Sequence, residues 1–228
     1  MSPKNLSVPT KTHKNLLNKL KDKKIFHIYK KFESTLNLNQ NFIVGVSGGP
    51  DSLALSFLAK IYSIKNFLNV DYYIVDHKLR QNSSLEVKLT RSLLKKYSIK
   101  LNILNWNSKK PTSNIQSIAR KYRYKLLINA AKRSKVKNIL TGHHLDDLYE
   151  NFFIRILRGS GLNGLVSFGE KTNYEGYNLI RPLINIEKKE LKYITNKIFN
   201  SFVEDPSNDD DKFKRVKVRK LIKNLKLD

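Results

Sequence analysis

The run Ser47-Gly48-Gly49-Pro50-Asp51-Ser52 packs two glycines, two hydroxyls and a carboxylate into one short stretch. Adjacent glycines let a backbone bend tightly and bring bare N–H groups against a ligand. Phe42–Val46 before it has the β-branched, apolar character of a strand, and Leu53-Ala54-Leu55 after it opens a helical run. A helix entered through such a turn presents unsatisfied N–H groups and the positive end of its dipole, and anions bind there. Ser47 and Ser52 add hydroxyl donors, while Asp51 can hold a Mg²⁺ that bridges phosphates. The plainer reading is a strand-to-helix turn with Asp51 or Ser52 as its N-cap. With a strand before and a helix after, phosphate binding is the reading we take forward. The spacing matches neither Gly-x-Gly-x-x-Gly nor Gly-x4-Gly-Lys-Ser/Thr, so dinucleotide and Walker-type loops are excluded.

Three further groups carry chemistry. Val75-Asp76-His77-Lys78-Leu79-Arg80 ends a second strand. There Asp76 and His77 can touch adenine or ribose and Arg80 can reach a phosphate or carboxylate, or the group is a polar strand cap. In Asn114–Tyr124 the helical spacing puts Arg120, Arg123 and Tyr124 on one face. A cationic face with a stacking ring suits a nucleotide or RNA; the alternative buries Tyr124 in the core and leaves the arginines to solvent or a carboxylate. The last is Leu140-Thr141-Gly142-His143-His144-Leu145-Asp146-Asp147, followed by Glu150. A helix beginning near His143 would place His143, Asp146, Asp147 and Glu150 on one face at a strand end. A Zn²⁺ site could use these residues, but it would leave the phosphate loop and the basic charge unexplained.

These groups need a frame, and the sequence predicts one. Strand candidates Phe42–Val46, Tyr72–Asp76, Leu101–Trp106 and Asn138–Thr141 alternate with helical candidates near Ser52–Phe67, Ser84–Tyr97, Asn114–Arg133 and Leu145–Leu157. That alternation predicts an α/β fold, an open parallel sheet with helices on both faces, in which ligands bind beyond the carboxyl ends of the strands. Residues 159–178 read as a loop with little regular structure. A helix over Glu187–Phe199, a turn at Asp205-Pro206-Ser207-Asn208 and a basic helix from Phe213 complete the chain. The expected organisation is a basic N-terminal extension over 1–24, a catalytic domain over 25–186 and a short, basic, helical C-terminal extension over 187–228.

The chain has 228 residues and a formal net charge of +25. Of that excess, 23 charges fall in residues 1–24, 109–137 and 212–228, leaving a nearly neutral core. Basic segments on a neutral body suit a polyanion such as RNA, with steep salt dependence. There is no cysteine, which excludes a disulfide framework, thiolate metal sites, iron–sulfur clusters and a cysteine nucleophile on this chain. No apolar run reaches the ~18 residues of a bilayer span, and no secretory h-region is present. No membrane partner is expected, and a reducing compartment is: the cytoplasm, with an organelle's matrix or stroma as the alternative.

The Ser-Gly-Gly-Pro-Asp-Ser loop resembles the pyrophosphate loop (PP-loop) of the N-type ATP pyrophosphatases, which seat the pyrophosphate of ATP and release AMP. Within that superfamily, Val75–Arg80, Asn114–Tyr124 and Thr141–Glu150 resemble the Val-Asp-His-x-Leu-Arg, Asn-x4-Ala-Arg-x-x-Arg-Tyr and Thr-Gly-His-His-x-Asp-Asp-x-x-Glu elements of the tRNA(Ile)-lysidine synthetases. Arg155–Leu162, Arg181-Pro182-Leu183 and the stretch from Asp205 to Arg219 extend the likeness in order and approximate spacing. Asn151 departs from the family's usual threonine. Many members continue into further C-terminal domains, so the chain is expected to be a minimal or a truncated form.

The resemblance implies a ligase that forms a carbon–nitrogen bond, with ATP and Mg²⁺ as cofactors and L-lysine and tRNA(Ile) with a CAU anticodon as partners. It implies ATP binding by Ser47, Gly48, Gly49, Pro50, Asp51, Ser52, Asp76, His77 and Gly142, and catalysis by Asp51, His143, Asp146, Asp147 and Glu150. Asp146, Asp147 and Glu150 are candidates to hold lysine, since crowded carboxylates require cations. Asp51 and Asp147 are candidates for Mg²⁺; Arg80, Arg120, Arg123, Arg215 and Arg219 are candidates for tRNA. Family members are often dimers, which leaves room for a homodimer. The rival readings are a tRNA thiolase using an external sulfur donor, an amide-forming synthetase, and a non-catalytic RNA-binding module with a degenerate ATP site.

Overall fold

Along Phe42–Val46 the side chains alternate between two faces, and two hydrophobic layers follow from that. The computed structural model describes residues 11–79, 82–107, 111–160, 169–204 and 214–225. Its strands are β1 Phe42–Val46, β2 Val70–Asp76, β3 Leu101–Asn105, β4 Asn138–Leu140, β5 Lys171–Tyr174 and β6 Tyr177–Ile180. They form one sheet in the order β3-β2-β1-β4-β6-β5. The helices are α1 Lys11–Asn18, α2 Lys23–Leu36, α3 Pro50–Lys65, α4 Ser83–Lys95, α5 Ile115–Arg133, α6 Leu145–Ile156, α7 Lys188–Phe199 and α8 Lys214–Leu225. None of the described helices is long and apolar enough to cross a membrane.

On one face, Phe42, Val44 and Val46 meet α3, whose residues Leu53 to Ile61 are nearly all buried. α3 lacks an amphipathic stripe because it is covered all round, by the sheet, by α2 and by α7. On the other face Ile43, Ile139 and Leu179 pack against Leu127, Ile128, Ala130 and Ala131 of α5. Gly45 belongs to this second face, where an added Cβ would lie 3.0 Å from Leu127 Cδ1. The connections from β1 through α3 and α4 run one way along the sheet; α5 returns the chain to the other side of β1. The gap between the ends of β1 and β4 is therefore the topological switch point, where open sheets of this kind bind ligands.

Two elements differ from the sequence-based expectation. Most of Lys171–Ile180 falls in the 159–178 stretch expected as loop, yet it is a hairpin; β5 runs antiparallel at the edge and β6 pairs parallel with β4. The sheet is thus mostly, not wholly, parallel. The hairpin turns through Glu175 (φ 51°) and Gly176 (φ 79°), and two central residues with positive φ make the tight turn that matches strand twist. The N-terminal segment, expected as an extension, is folded from Lys11 onward: Leu16 is 1% exposed and shares the core with α2 and α3. Asp22 caps α2 by accepting from the N–H groups of Lys24 and Ile25 at 2.9 and 3.1 Å.

Replacing Leu16 by Ala should therefore cost about 2–4 kcal/mol in a urea unfolding titration, as for other buried leucines. A cost within about 0.5 kcal/mol, normal for surface sites, would mean that α1 is a loosely attached arm.

Candidate functional site

Beyond Val46 the backbone leaves β1 through Gly48, whose φ of +88° suits glycine. A Cβ there would sit 2.6 Å from Thr90 Oγ1 and 3.2 Å from Val203 Cγ2, so the position also lacks room for a side chain. Gly49 is the N-cap of α3 and Pro50 its first residue, where a missing N–H costs nothing. Ser52 Oγ accepts from the N–H groups of Ser47 and Gly48, both at 3.1 Å, and donates to Gly49 O at 3.0 Å, curling the loop around one hydroxyl. From the neighbouring strand end, Gly142 approaches so closely that a Cβ would touch Ser52 N and Cα at 3.4 Å. Ser47, Asp51, Ser52, Thr141, Gly142 and His143 line one cleft together with Arg120 and Arg123.

Across the loop stands a charged group from the β4–α6 junction. α6 begins at Leu145, where periodicity placed it and two residues after the start that would put His143 on the carboxylate face, and His144 is its N-cap. This turns His143 and His144 in different directions. His144, 3% exposed, places Nε2 3.4 Å from Asp51 Oδ2 and 3.5 Å from Asp147 Oδ2, with Nδ1 3.6 Å from Asp146 Oδ2. Burial alone would depress the imidazole; the hydrogen bond to Asp51 and the charges of Asp147, Asp51 and Asp146 outweigh it and hold its pKa above the ordinary histidine value. His144 is not among the candidate site residues that the motif spacing suggests. The signal was present in the paired histidines, but which one faces the carboxylates depends on where the helix starts.

His143 instead points to the arginines. Its Nε2 lies 3.1 Å from an Arg120 terminal nitrogen and its Nδ1 2.9 Å from Thr141 Oγ1. Burial, then Arg120, Arg181, Arg215 and Arg123 in that order, push its pKa well below the ordinary value, so it is a neutral imidazole in a strongly positive field. Arg120 lies over the Tyr124 ring at 5.1 Å, and Arg123 approaches His77 Nε2 at 3.4 Å. His77 meets the edge of Trp106, which stacks on Tyr122 at 4.6 Å. Arg181, from the Arg181-Pro182-Leu183 motif but not among the candidate site residues, is buried and donates to Gly169 O and Thr172 Oγ1 at 2.7 and 2.8 Å.

The other candidate residues divide between the cleft and the scaffold. Asp76 is buried at the end of β2 and accepts from Lys78 N, Ser83 Oγ and Ser84 Oγ at 2.8–3.0 Å. Burial would raise its pKa, but Ser84, the Lys78 amide and Ser83 together hold it below the usual carboxylate value. Its observed contacts organise the turn that presents His77. Asp146 Oδ2 accepts from Lys188 N at 2.8 Å, tying the cluster to the start of α7. Asp147 Oδ2 accepts from His144 N at 3.1 Å. Glu150, 3% exposed, is held by Arg219, with Nε at 2.5 Å and a terminal nitrogen at 3.3 Å. Arg219 thus docks α8 against α6, whereas Arg215 on the same helix is exposed. Arg80 lies outside the described residues.

The residues present suit Mg²⁺ as well as phosphate. Asp51 Oδ1 is buried and accepts no hydrogen bond among the described residues, and Asp51 and Asp147 converge on one nitrogen from two different strand ends. No preformed cage of three or more ligand side chains exists among the described residues. That fits a magnesium ion, which is commonly held by one or two carboxylates plus substrate phosphates.

A mostly parallel α/β sheet with a glycine turn at its switch point and carboxylates facing that turn defines a nucleotide-phosphate-binding domain. The chain belongs to the PP-loop family: the PP-loop domain model matches residues 17–225. It is 40% identical over 187 residues to the tRNA(Ile)-lysidine synthase of Orientia tsutsugamushi, covering 82% of this chain and 42% of that protein. To the corresponding synthase of Rickettsia typhi it is 41% identical over 203 residues, covering 84% and 46%. The chain thus spans less than half the length of these two relatives. Among solved structures, the U34-tRNA thiolase NcsA of Methanococcus maripaludis shares the fold, with a TM-score of 0.76 at 21% identity over 90% of this chain and 74% of that one.

The Glu150–Arg219 pair makes a separable prediction. A double-mutant cycle with Glu150→Gln and Arg219→Ala should give a coupling energy of about 1–3 kcal/mol in chemical denaturation, while Arg215→Ala should change stability by no more than about 0.5 kcal/mol. Additive effects of Glu150→Gln and Arg219→Ala would show that the pair does not dock α8.

Proposed function

We propose that the chain performs the chemistry of tRNA(Ile)-lysidine synthesis: ATP-dependent joining of L-lysine to C2 of the wobble cytidine of tRNA(Ile) with a CAU anticodon. The observation that carries the reading is the convergence of Asp51, from the phosphate loop, with His144, Asp146 and Asp147 across the cleft. The similarity to lysidine synthases over four-fifths of the chain supports the same assignment.

The loop binds the nucleotide's phosphates through its amides and the α3 dipole, and it stabilises the charge that grows on the departing pyrophosphate. Bound Mg²⁺, held by Asp51 with Asp147 as second carboxylate, would neutralise that charge further. Attack by the cytidine C2 oxygen on the α-phosphorus breaks the bond to pyrophosphate and leaves the base adenylated. The lysine ε-amine then adds at C2, and the C2 oxygen departs with AMP. The ε-ammonium must first be bound and then lose a proton. Asp146 and Asp147, both beside His144, are the acceptors placed for it, whereas Glu150 is committed to Arg219. His144 balances the carboxylates before the cationic substrates arrive. Arg120, Arg123 and Arg215 provide the positive face for the anticodon loop, where an unpaired cytidine is already accessible. His143, neutral beside Arg120 and Thr141, orients that face.

The cytoplasm is the expected compartment, and dimerisation follows only from the family likeness. A thiolase needs sulfur chemistry often built on cysteine, and this chain has none.

Incubation with tRNA(Ile) transcript, ATP, Mg²⁺ and labelled lysine should place label in the RNA, insensitive to added reductant. Asp51→Ala should reduce incorporation by at least about 10²-fold, on the scale of losing one transition-state-stabilising group. Undiminished incorporation by that variant would remove Asp51 from the mechanism.

A further inference from the structure

We propose that Thr195 and Val203, outside the phosphate loop, are positioning residues that aim its amides at the phosphates; the proposal rests on the nucleotide reading above. A carbonyl and the N–H of the next residue belong to one planar peptide unit and point in opposite directions. Whatever holds the carbonyl therefore aims the N–H. Val203 N donates to Gly48 O at 3.1 Å, which sets the plane of the peptide carrying the Gly49 N–H. Thr195 Oγ1 donates to Pro50 O at 2.7 Å, which does the same for the Asp51 N–H. Gly49 and Asp51 stand at the N-terminus of α3, whose first amides have no acceptor within the helix and are the groups that a phosphate meets.

The Gly48–Gly49 peptide reorients easily, with no side chain to hold it, and at Pro50, in the first turn of α3, Thr195 adds a donor from outside the helix. That donor is itself held rigidly. Thr195 is 0% exposed on α7. That helix is fixed at its start by Asp146 on the Lys188 amide, at Tyr193 by a 2.8 Å bond to Asp22, and near its end by the Tyr97 hydroxyl on Ile198 O. The Val203 side chain fills the space that a Cβ on Gly48 would need. The C-terminal segment is consequently part of the nucleotide site as well as an RNA-facing appendage.

The test compares Thr195→Val, which keeps the shape and removes the hydroxyl, with Thr195→Ser, which keeps the hydroxyl. Calorimetric titration of the full chain with ATP and with AMP separates phosphate-loop contacts from those to the nucleoside. Thr195→Val should bind ATP about tenfold more weakly and AMP within about twofold of wild type. Its melting temperature should stay within about 3 °C, and Thr195→Ser should retain ATP affinity within about threefold. ATP binding unchanged in Thr195→Val overturns the proposal. So do equal losses for ATP and AMP with a lowered melting temperature, or a Thr195→Ser variant as impaired as Thr195→Val. A wild-type chain that binds neither nucleotide would overturn the underlying reading as well. One that binds ATP but does not incorporate lysine would overturn only the assignment to lysidine synthesis.

Discussion

The turn from β1 into α3 is the constraint around which the molecule is arranged. At Gly48 the chain must adopt φ +88° in a space closed by Thr90 and Val203, and it must then enter a helix already enclosed by sheet and neighbouring helices. Backbone amides at a helix start require partners. In this position they open toward the cleft between β1 and β4, and a phosphate is the natural partner there. Gly142 and Gly45 serve the same geometry: one lets the β4 end approach Ser52, the other lets Leu127 seat α5 on the sheet.

Around that turn the electrostatics separate into two sides. Asp51, Asp146 and Asp147 surround His144, which the carboxylates favour in its charged form despite burial. A few ångströms along the same junction, His143 is kept neutral by burial and by Arg120, Arg181, Arg215 and Arg123. Adjacent histidines are thus tuned in opposite directions. The carboxylate side attracts cations and the arginine side attracts anions. The proposed joining of an amino acid to a polynucleotide at the expense of ATP would use both.

Much of this was legible before the fold was known. The four central strands and the helices between them follow from periodicity, and the loop follows from glycines at a strand–helix boundary. The hairpin over Lys171–Ile180 was not legible, because its short strands carry few apolar residues and its turn depends on Glu175 taking a positive φ. The role of His144 was hidden by a two-residue uncertainty in where α6 begins, enough to exchange the two imidazoles between faces. Arg219, a tRNA candidate by the resemblance, pairs with Glu150, a partner that the motif does not reveal. Thr195 carries no motif, and only the folded chain brings it to Pro50.

Cleavage of ATP between its α- and β-phosphates in this cleft is the step on which the proposed function rests. Parallel chromatography of the products from ATP labelled at the α-phosphate and from ATP labelled at the γ-phosphate, with tRNA(Ile), lysine and Mg²⁺ present, reads that step. AMP and pyrophosphate formed in equal amounts, and only with the tRNA present, are the predicted result. ADP as the labelled product, or no cleavage at all under those conditions, would contradict the account.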